Sequence, residues 1–330
     1  MAIKKIAILA SGGNSPGMNN VIITLVRKAR LYNIDVELIF DGFSGLCCNN
    51  FMKPKLKTLS YFYANGNVVI GTSRFPEFEH EEYQELAMNN LKEHKIDCLY
   101  VIGGNGSFNG ALQLAKRGMH VVCIPGTIDN DVINTETTIG YSTALNTVVR
   151  GIDELRACFD SHSGVVIVEV MGRRFPDLTV NAAIATEAEA IVTPDHILNA
   201  QQIAEIATQT ALNGHRSCVI VVTEQTYGRN GLPTLEELAS EVEMLLNGRM
   251  VRSDVLGYIQ RGATPTAEDR IMGSRMASYA IDYARKEREN VCILVKYGKI
   301  IAVNLEKTLS LKPKVFDDSI LEDYKKYNKY

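Results

Sequence analysis

The sequence predicts an α/β fold in which mainly parallel sheets are covered by helices on both faces. Near-continuous apolar runs such as GVVIVEVMG (164–172) and CVIVVTE (218–224) are typical of strands that are buried on both sides. Segments with helical spacing alternate with these runs, as in STALNTVVRGIDELRACF (142–159). Glycine-rich turns follow several of the strands. Alternation of this kind favours parallel sheets joined by helical crossovers.

The predicted elements follow one another along the whole chain. The predicted strands are 6–10, 35–40, 99–102, 121–124, 164–172 and 218–224. The predicted helices are 20–30, 81–94, 110–118, 142–159, 178–190 and 203–214. QTYGRNGLPTLEE (225–237) is predicted to be a polar loop that leads into a further helix.

Composition excludes several classes of protein. The 330 residues are 46% hydrophobic and 22% charged, and the net charge of −3 does not predict a nucleic-acid or membrane partner. No apolar run reaches the ~18 residues of a membrane-spanning helix. The seven cysteines include no C-x-x-C pair, and the six histidines form no zinc motif. We therefore expect a cytoplasmic protein with reduced thiols.

Three glycine-rich turns indicate phosphate binding. SGGNSPG (11–17), GGNGS (103–107) and PGTIDND (125–131) each follow a predicted strand. Open parallel sheets bind ligands at the carboxyl ends of their strands, and helices that begin there present N–H groups to anions. The third turn carries Asp129 and Asp131. One carboxylate can deprotonate a hydroxyl while another holds a metal ion, so the pattern predicts a kinase.

These turns belong to a longer series of motifs by which the chain resembles the bacterial-type ATP-dependent 6-phosphofructokinases over nearly its full length. The matching segments are SGGNSPGMN, GTSRFPEF, VIGGNGS, PGTIDND, TIGYSTAL, VEVMGR, VTE, IQRG and DRIMGSRMASYAID. The resemblance implies the phosphofructokinase fold, with two Rossmann-like three-layer domains. Residues 1–138 with about 254–305 would bind the nucleotide, and residues 139–253 with about 306–330 would bind the sugar phosphate.

The resemblance also implies an activity, the transfer of the γ-phosphate of ATP to the 1-hydroxyl of fructose 6-phosphate with Mg²⁺. Asp129 would be the catalytic base, with Thr127 beside the substrate and Asp131 near the metal. The sugar phosphate would contact Met171, Arg173, Glu224, Arg261 and, from a neighbouring subunit, Arg252. The nucleotide would contact Gly13, Arg74, Gly103, Gly104, Asn105, Gly106 and Ser107, where Gly106 and Gly126 match the ATP-using branch rather than the pyrophosphate-using one.

Several positions depart from the family pattern. Asn105 replaces an aspartate associated with the metal, and a neutral amide attracts Mg²⁺ less than a carboxylate does. Gly164 replaces an arginine that reaches a neighbour's sugar phosphate, and Tyr258 replaces a histidine of the same site. Glu79 and Gln84 stand where arginines contact the nucleotide. The milder changes are Asn14 for aspartate and Phe43 for tyrosine.

The family's effector site, which binds ADP or phosphoenolpyruvate between subunits, is also only partly matched. Arg27, Arg156 and Glu189 agree with it. The positions that usually carry basic residues but do not here are Ile23, Asn50, Asn213 and His215. A site for an anion that has lost four cations should bind weakly, since each charged contact contributes roughly 1.5–3 kcal/mol.

Three interpretations of function stay open at this point. In the first, the chain is a low-activity or regulatory subunit that acts with an active paralogue. In the second, it is an active ATP-dependent phosphofructokinase. A homo- or hetero-tetramer is expected in either case. The third is a related kinase with another acceptor, because NAD and lipid kinases share a GGDG-type turn. The MGR and IQRG motifs speak against the third. The departures fall on metal, nucleotide and sugar positions together, and this favours the first.

Overall fold

The computed structural model describes residues 3–173 and 175–327, and these divide into two compact units. The first unit comprises the described residues up to Thr143 together with Arg261–Lys314. The second comprises Ala144–Gln260 together with the described residues from Val315 onward. Each unit is built around its own sheet, and the functions assigned to the two predicted domains remain predictions.

Strands and helices alternate through both units, and a short 3₁₀ turn spans Pro76–Glu79. The strands are β1 (Lys5–Ala10), β2 (Asp35–Ile39), β3 (Phe51–Met52), β4 (Cys98–Gly103), β5 (Val121–Pro125), β6 (Val165–Val170), β7 (Ala190–Val192), β8 (Cys218–Thr223), β9 (Val251–Val255), β10 (Val291–Lys296) and β11 (Lys299–Asn304). The helices are α1 (Met18–Leu31), α2 (Gly42–Cys47), α3 (Leu56–Ser60), α4 (Glu81–Glu93), α5 (Asn105–Lys116), α6 (Tyr141–His162), α7 (Asp177–Ala185), α8 (Ala200–Leu212), α9 (Leu235–Leu245), α10 (Ile259–Gly262), α11 (Ala267–Lys286), α12 (Leu305–Leu309) and α13 (Ser319–Tyr327).

The sheet of the first unit has the strand order β11-β10-β5-β4-β1-β2-β3. Its five inner strands are parallel, and β3 and β11 pair antiparallel at the two edges. Apolar side chains of the inner strands form one buried cluster on each face of the sheet. This confirms the predicted mainly parallel sheet with helices on both sides, and the short antiparallel edge strands are an addition to it.

The sheet of the second unit is parallel and has the order β7-β8-β6-β9. Its core contains apolar residues of β6 and β8 that pack against α8 and α9. Both of these helices begin at a capping box, formed by Asn199 with Gln202 and by Thr234 with Glu237. The helix predicted over 178–190 was too long, because α7 ends at Ala185 and β7 begins at Ala190.

No helix among the described residues is both long enough and apolar enough to cross a membrane.

Candidate active site

The three glycine-rich turns of the first unit leave the sheet side by side. They follow β1, β4 and β5, which are neighbours in the sheet. In the strand register Ala10 lies opposite Ile102, and Gly103 lies opposite Pro125, so all three turns begin at the same level. Backbone bonds join them: Ser11 N–H donates to Ile102 O over 2.9 Å, and Gly126 N–H donates to Gly103 O over 3.0 Å. The predicted phosphate-binding turns therefore form one contiguous edge.

The turn at 103–107 is built around close backbone approach. A Cβ at Gly103 would lie 2.4 Å from Ser107 Oγ and 2.6 Å from Ser11 O, so only glycine fits. Ser107 Oγ donates to Ser11 O over 3.0 Å, which joins the first turn to the second. A Cβ at Gly106 would meet nothing within 4 Å. The first turn of α5 thus combines an open surface with N–H groups that can bind an anion.

The loop that carries Asp129 is fixed by a second segment of chain, residues 138–140. Thr127 N–H donates to Ile139 O over 3.1 Å, and Thr138 Oγ1 donates to Thr127 O over 2.7 Å. Ser15 Oγ also donates to Ile139 O. Asp129 N–H donates to Thr127 Oγ1 over 3.2 Å. These bonds determine the backbone at Thr127 and Asp129, whose side chains are both buried.

Asp129 is paired with Arg261. Arg261 Nη2 lies 3.5 Å from Asp129 Oδ1, and both side chains are buried. Arg261 Nη1 also donates to Asn14 O over 3.2 Å, and Asn14 Nδ2 donates back to Arg261 O over 3.0 Å. The guanidinium packs against Gly13, where a Cβ would lie only 2.8 Å from Nη1. Gly13 therefore makes room for the cation that faces the predicted base.

Asn105 is the first residue of α5, and both the nitrogen and the oxygen of its side-chain amide bind the backbone of the Asp129 loop. Its Nδ2 donates to Asp131 O over 3.0 Å, and its Oδ1 accepts from Ile133 N–H over 3.2 Å. An amide can make this pair of bonds because it has one donor end and one acceptor end. A carboxylate at position 105 could accept from Ile133 but could not donate to Asp131.

The acids of this loop fit a Mg²⁺ site of the kind that relies on substrate phosphates. Mg²⁺ in kinases keeps several waters and takes one or two protein carboxylates in addition to phosphate oxygens. Among the described residues no three acids, histidines or cysteines come together as a metal cluster. Asp131 is half-buried and carries a carboxylate, and the amide oxygen of Asn105 accepts a hydrogen bond from Ile133 N–H. Asp131 therefore stays the predicted carboxylate ligand of the ion.

The remaining nucleotide positions differ in how they are held. Arg74 is exposed, and its neighbouring residues bind the first turn, since Gly12 N–H donates to Ser73 O over 3.0 Å. Glu79 is exposed at the end of the 3₁₀ turn. Gln84 is only 3% exposed, and its Nε2 donates to Glu79 O over 3.1 Å and to Phe78 O over 2.8 Å. Gln84 therefore holds this turn through its amide nitrogen.

Phe43, which replaces the family's tyrosine, is buried. Its ring stacks on Phe78 with 4.3 Å between the centroids.

In the second unit, the loop after β6 is held by two buried or half-buried side chains. Gln260 Oε1 accepts from Met171 N–H over 3.1 Å. Glu224 Oε1 accepts from Arg173 N–H over 3.0 Å and from Gly172 N–H over 3.3 Å. Arg173 has a φ of +52°, a left-handed conformation that these bonds support. The arginine side chain is exposed.

The sequence did not point to a second carboxylate near this loop, Glu169 of β6, which interacts with Gln225 and Glu224. Burial raises the pKa of Glu169, while a hydrogen bond from the backbone of Gln225 lowers it and the charge of Glu224 raises it. Gln225 has a φ of +65°, so Glu169 supports the turn that follows Glu224. Gln260 was missed as well, although it precedes Arg261 in the recognised IQRG motif.

Of the residues expected to serve a neighbouring subunit, Arg252 and Tyr258 are exposed on the second unit, whereas Gly164 is buried. Arg252 pairs with Glu243 over 2.6 Å, and its side chain is 58% exposed. Tyr258 is 83% exposed. Gly164 precedes β6 in a crowded position, where a Cβ would lie 2.8 Å from Phe159 Cδ1 and 2.9 Å from Met250 Cε.

Of the predicted effector residues, Arg156 and Glu189 form an internal pair. Arg156 Nη1 lies 2.9 Å from Glu189 Oε1, and Glu189 Oε2 accepts from Val219 N–H over 2.6 Å. Burial opposes the charge of Arg156, but the hydrogen bond and charge of Glu189 outweigh it, so the pKa of Arg156 is raised. Arg27, in the first unit, donates to Ser60 Oγ over 3.1 Å. These contacts are sufficient for a structural function, and an effector function remains a prediction.

Parallel α/β sheets, adjacent glycine-rich turns and a buried aspartate–arginine pair are features that phosphoryl-transfer proteins share. The family model for phosphofructokinase matches residues 5–284. The chain belongs to the phosphofructokinase family. It is 39% identical over 319 residues to the ATP-dependent 6-phosphofructokinase of Mesomycoplasma hyopneumoniae, covering 97% of each chain. It is 40% identical over 299 residues to that of Vibrio cholerae, covering 91% of each.

Solved structures agree on the fold. A phosphofructokinase from Pichia pastoris, crystallised in the T-state, superimposes with a TM-score of 0.86 and 27% identity over 94% of this chain. The chain spans about a third of the length of that yeast chain, at 36%. A pyrophosphate-dependent phosphofructokinase from Marinobacter aquaeolei has a TM-score of 0.83 at 18% identity and supports the fold alone.

Proposed function

We propose that this chain transfers the γ-phosphate of ATP to fructose 6-phosphate and that its own turnover is low. The observation that carries the proposal is the Asp129 site. A buried carboxylate faces Arg261 at 3.5 Å, on a loop adjoining two glycine-rich turns. Such a carboxylate can accept the proton of the sugar 1-hydroxyl while that oxygen attacks the γ-phosphorus and ADP leaves. Thr127 fixes the backbone of Asp129, and the N–H groups at the start of α5 bind phosphate.

The low rate follows from the charge at the metal. Bound Mg²⁺ would neutralise charge on the transferring phosphoryl group, with Asp131 as its ligand from this chain. Asn105 adds no negative charge there. Removal of one electrostatic element from such a site typically lowers kcat by about 10²–10³. ATP should also bind weakly, because Glu79 is a carboxylate where the family has a cation.

The experiment is a coupled assay of the purified chain with ATP, Mg²⁺ and fructose 6-phosphate, with Asp129→Asn as the matched control. We expect slow formation of fructose 1,6-bisphosphate that falls by about 10²–10⁴-fold in the variant. A rate equal to that of Asp129→Asn would contradict the enzymatic function. A kcat within the usual 1–100 s⁻¹ of kinases would contradict the low-turnover part and establish a fully active enzyme.

A second candidate function, a regulatory subunit of a mixed tetramer, is favoured by Gly164. In the family an arginine at this position completes a neighbour's sugar-phosphate site, and this chain cannot supply it. A partner that carries the arginine could supply it to this chain. The test mixes this chain with an active paralogue whose catalytic aspartate is disabled. Tighter binding of sugar phosphate with little turnover is expected, and substantial turnover from the mixture would contradict a purely regulatory function.

A further inference from the structure

Two consecutive carbonyls in the Asp129 loop accept hydrogen bonds from side chains of distant segments. Lys314 Nζ donates to Asn130 O over 2.8 Å, from a position 184 residues further along the chain. Asn105 Nδ2 donates to Asp131 O over 3.0 Å, from the start of α5. Asn130 lies between the two acids. The two donors therefore fix the backbone that carries both predicted catalytic carboxylates.

This part of the loop lies between two separate anchors. The segment before it is held by Thr138, as described above. The segment after it is held by β10, since Thr135 Oγ1 accepts from Val295 N–H over 3.0 Å. Between the anchors two residues have left-handed backbone conformations, with φ of +53° at Asn130 and +68° at Asn134. Such conformations persist when surrounding contacts hold them.

We propose that Asn105 and Lys314 form a two-donor clamp that positions Asp129 and Asp131 for phosphoryl transfer. Both are positioning residues, and the proposal rests on the proposed function of the Asp129 site. Lys314 also brings a positive charge to the residue between the two acids. Asn105 is then a structural replacement for the family's aspartate, because its amide makes a bond to Asp131 O that a carboxylate cannot make.

The clamp is tested first without any ligand or activity. Hydrogen exchange followed by mass spectrometry reports the backbone amides of residues 129–134 in the full chain. Asn105→Ala removes the acceptor of the Ile133 amide as well as the donor to Asp131, and Lys314→Met removes the other donor. We expect exchange in this peptide to become about five- to tenfold faster in either variant, as for the loss of one hydrogen bond. Lys314→Arg, which keeps a charged donor, should restore most of the protection.

Matched controls come from the same two segments. Asn109→Ala removes a side-chain bond to Asn105 O on the exposed side of α5, and Lys312→Met removes an exposed lysine two residues from Lys314. Both should leave exchange in residues 129–134 unchanged. Equal exchange in the control and clamp variants would overturn the clamp, even if the chain proved to be inactive. If Asn105→Ala does not fold, Lys314→Met alone still decides.

The kinetic arm separates positioning from simple stability. In the active chain, Lys314→Met and Asn105→Ala should lower kcat and leave the KM for fructose 6-phosphate within twofold. A rise in KM with unchanged kcat would show that the two side chains do not act on the carboxylates, and would overturn the proposal. Absence of turnover in the unmodified chain would refute the proposed function, and exchange would still report on the clamp.

Discussion

Restoring a side chain at Gly164 should destabilise the second unit. An ideal Cβ at this position lies 2.8 Å from Phe159 Cδ1, 2.9 Å from Met250 Cε and 3.2 Å from Met250 O. Carbon atoms normally pack at about 3.5–4.0 Å. The backbone of Gly164 is not left-handed, so the prediction depends on crowding alone.

The magnitude follows from which neighbour can move. Met250 Cε is the end of a flexible side chain and can shift cheaply. Phe159 is 7% exposed on α6, and its ring cannot move without disturbing its neighbours. Overpacking of a core by one carbon costs roughly 1–3 kcal/mol. We expect Gly164→Ala to lower the free energy of unfolding by that amount, and Gly164→Arg by at least as much.

The assay is urea unfolding of four proteins: the unmodified chain, Gly164→Ala, Phe159→Leu and the double variant. Because the smaller leucine gives way to the new methyl group, the double variant should be more stable than the sum of the single effects, by about 1 kcal/mol. Gly106→Ala is the control for stability, since its Cβ would meet nothing. A change below about 0.5 kcal/mol in Gly164→Ala would refute the crowding.

The same crowding bears on sugar binding. Gly164→Arg alone should not restore the contact that the family's arginine makes to a neighbouring subunit, because the backbone must shift to admit the side chain. A stable Gly164→Arg variant with tighter binding of fructose 6-phosphate would show that the position had been open all along.

Three further predictions concern other parts of the first and second units. Asp269→Ala leaves the N–H groups of Gly140 and Thr143 and the Thr143 hydroxyl without their buried acceptor, so the free energy of unfolding measured in urea should fall by about 3–5 kcal/mol. Burial lowers the pKa of His120 in the folded chain, so as the pH falls below about 6.5 the unfolded chain takes up the proton first and stability should fall. Urea unfolding between pH 7.5 and 5 should therefore show a smaller loss of stability in His120→Gln than in the unmodified chain. An aromatic disulfide reagent should react quickly with the exposed Cys48 and Cys158 and slowly with Cys47, whose pKa burial raises to about 11; rapid reaction of all seven thiols in the folded chain would contradict the packing.

The parallel sheets could be predicted because their strands leave a strong signal. Strands buried on both faces are nearly all apolar, as GVVIVEVMG (164–172) shows, and glycine-rich turns follow several of them directly. The edge strand β3 has only two residues, and its antiparallel pairing with β2 depends on contacts that no local pattern encodes. The end of α7 was missed for a similar reason, since ATEAEA (185–190) has good helix formers that the fold places in a turn.

Some site residues could be predicted from the sequence and others could not. Residue types at the turns predicted phosphate chemistry, and the resemblance gave roles to single residues such as Asp129. The contacts between remote segments could not be predicted. Lys314 stands in a polar tail with no motif around it, and its bond to Asn130 spans 184 positions. Gln260 was not singled out because the resemblance gave a role to the neighbouring Arg261 in the IQRG motif instead.

The departures from the family pattern are built into the surrounding structure. Asn105 uses both ends of its amide on the Asp129 loop, Gln84 holds the 3₁₀ turn by two bonds, and Gly164 fills a space that admits no Cβ. Substituting any one of them by the family residue would break a hydrogen bond or create a clash, and this cost would offset any gain from the added charge. Activity is therefore not expected to return through single reversions at these positions. A variant such as Asn105→Asp would first have to compensate for the lost donor to Asp131 O, and only then could the added carboxylate strengthen binding of Mg²⁺.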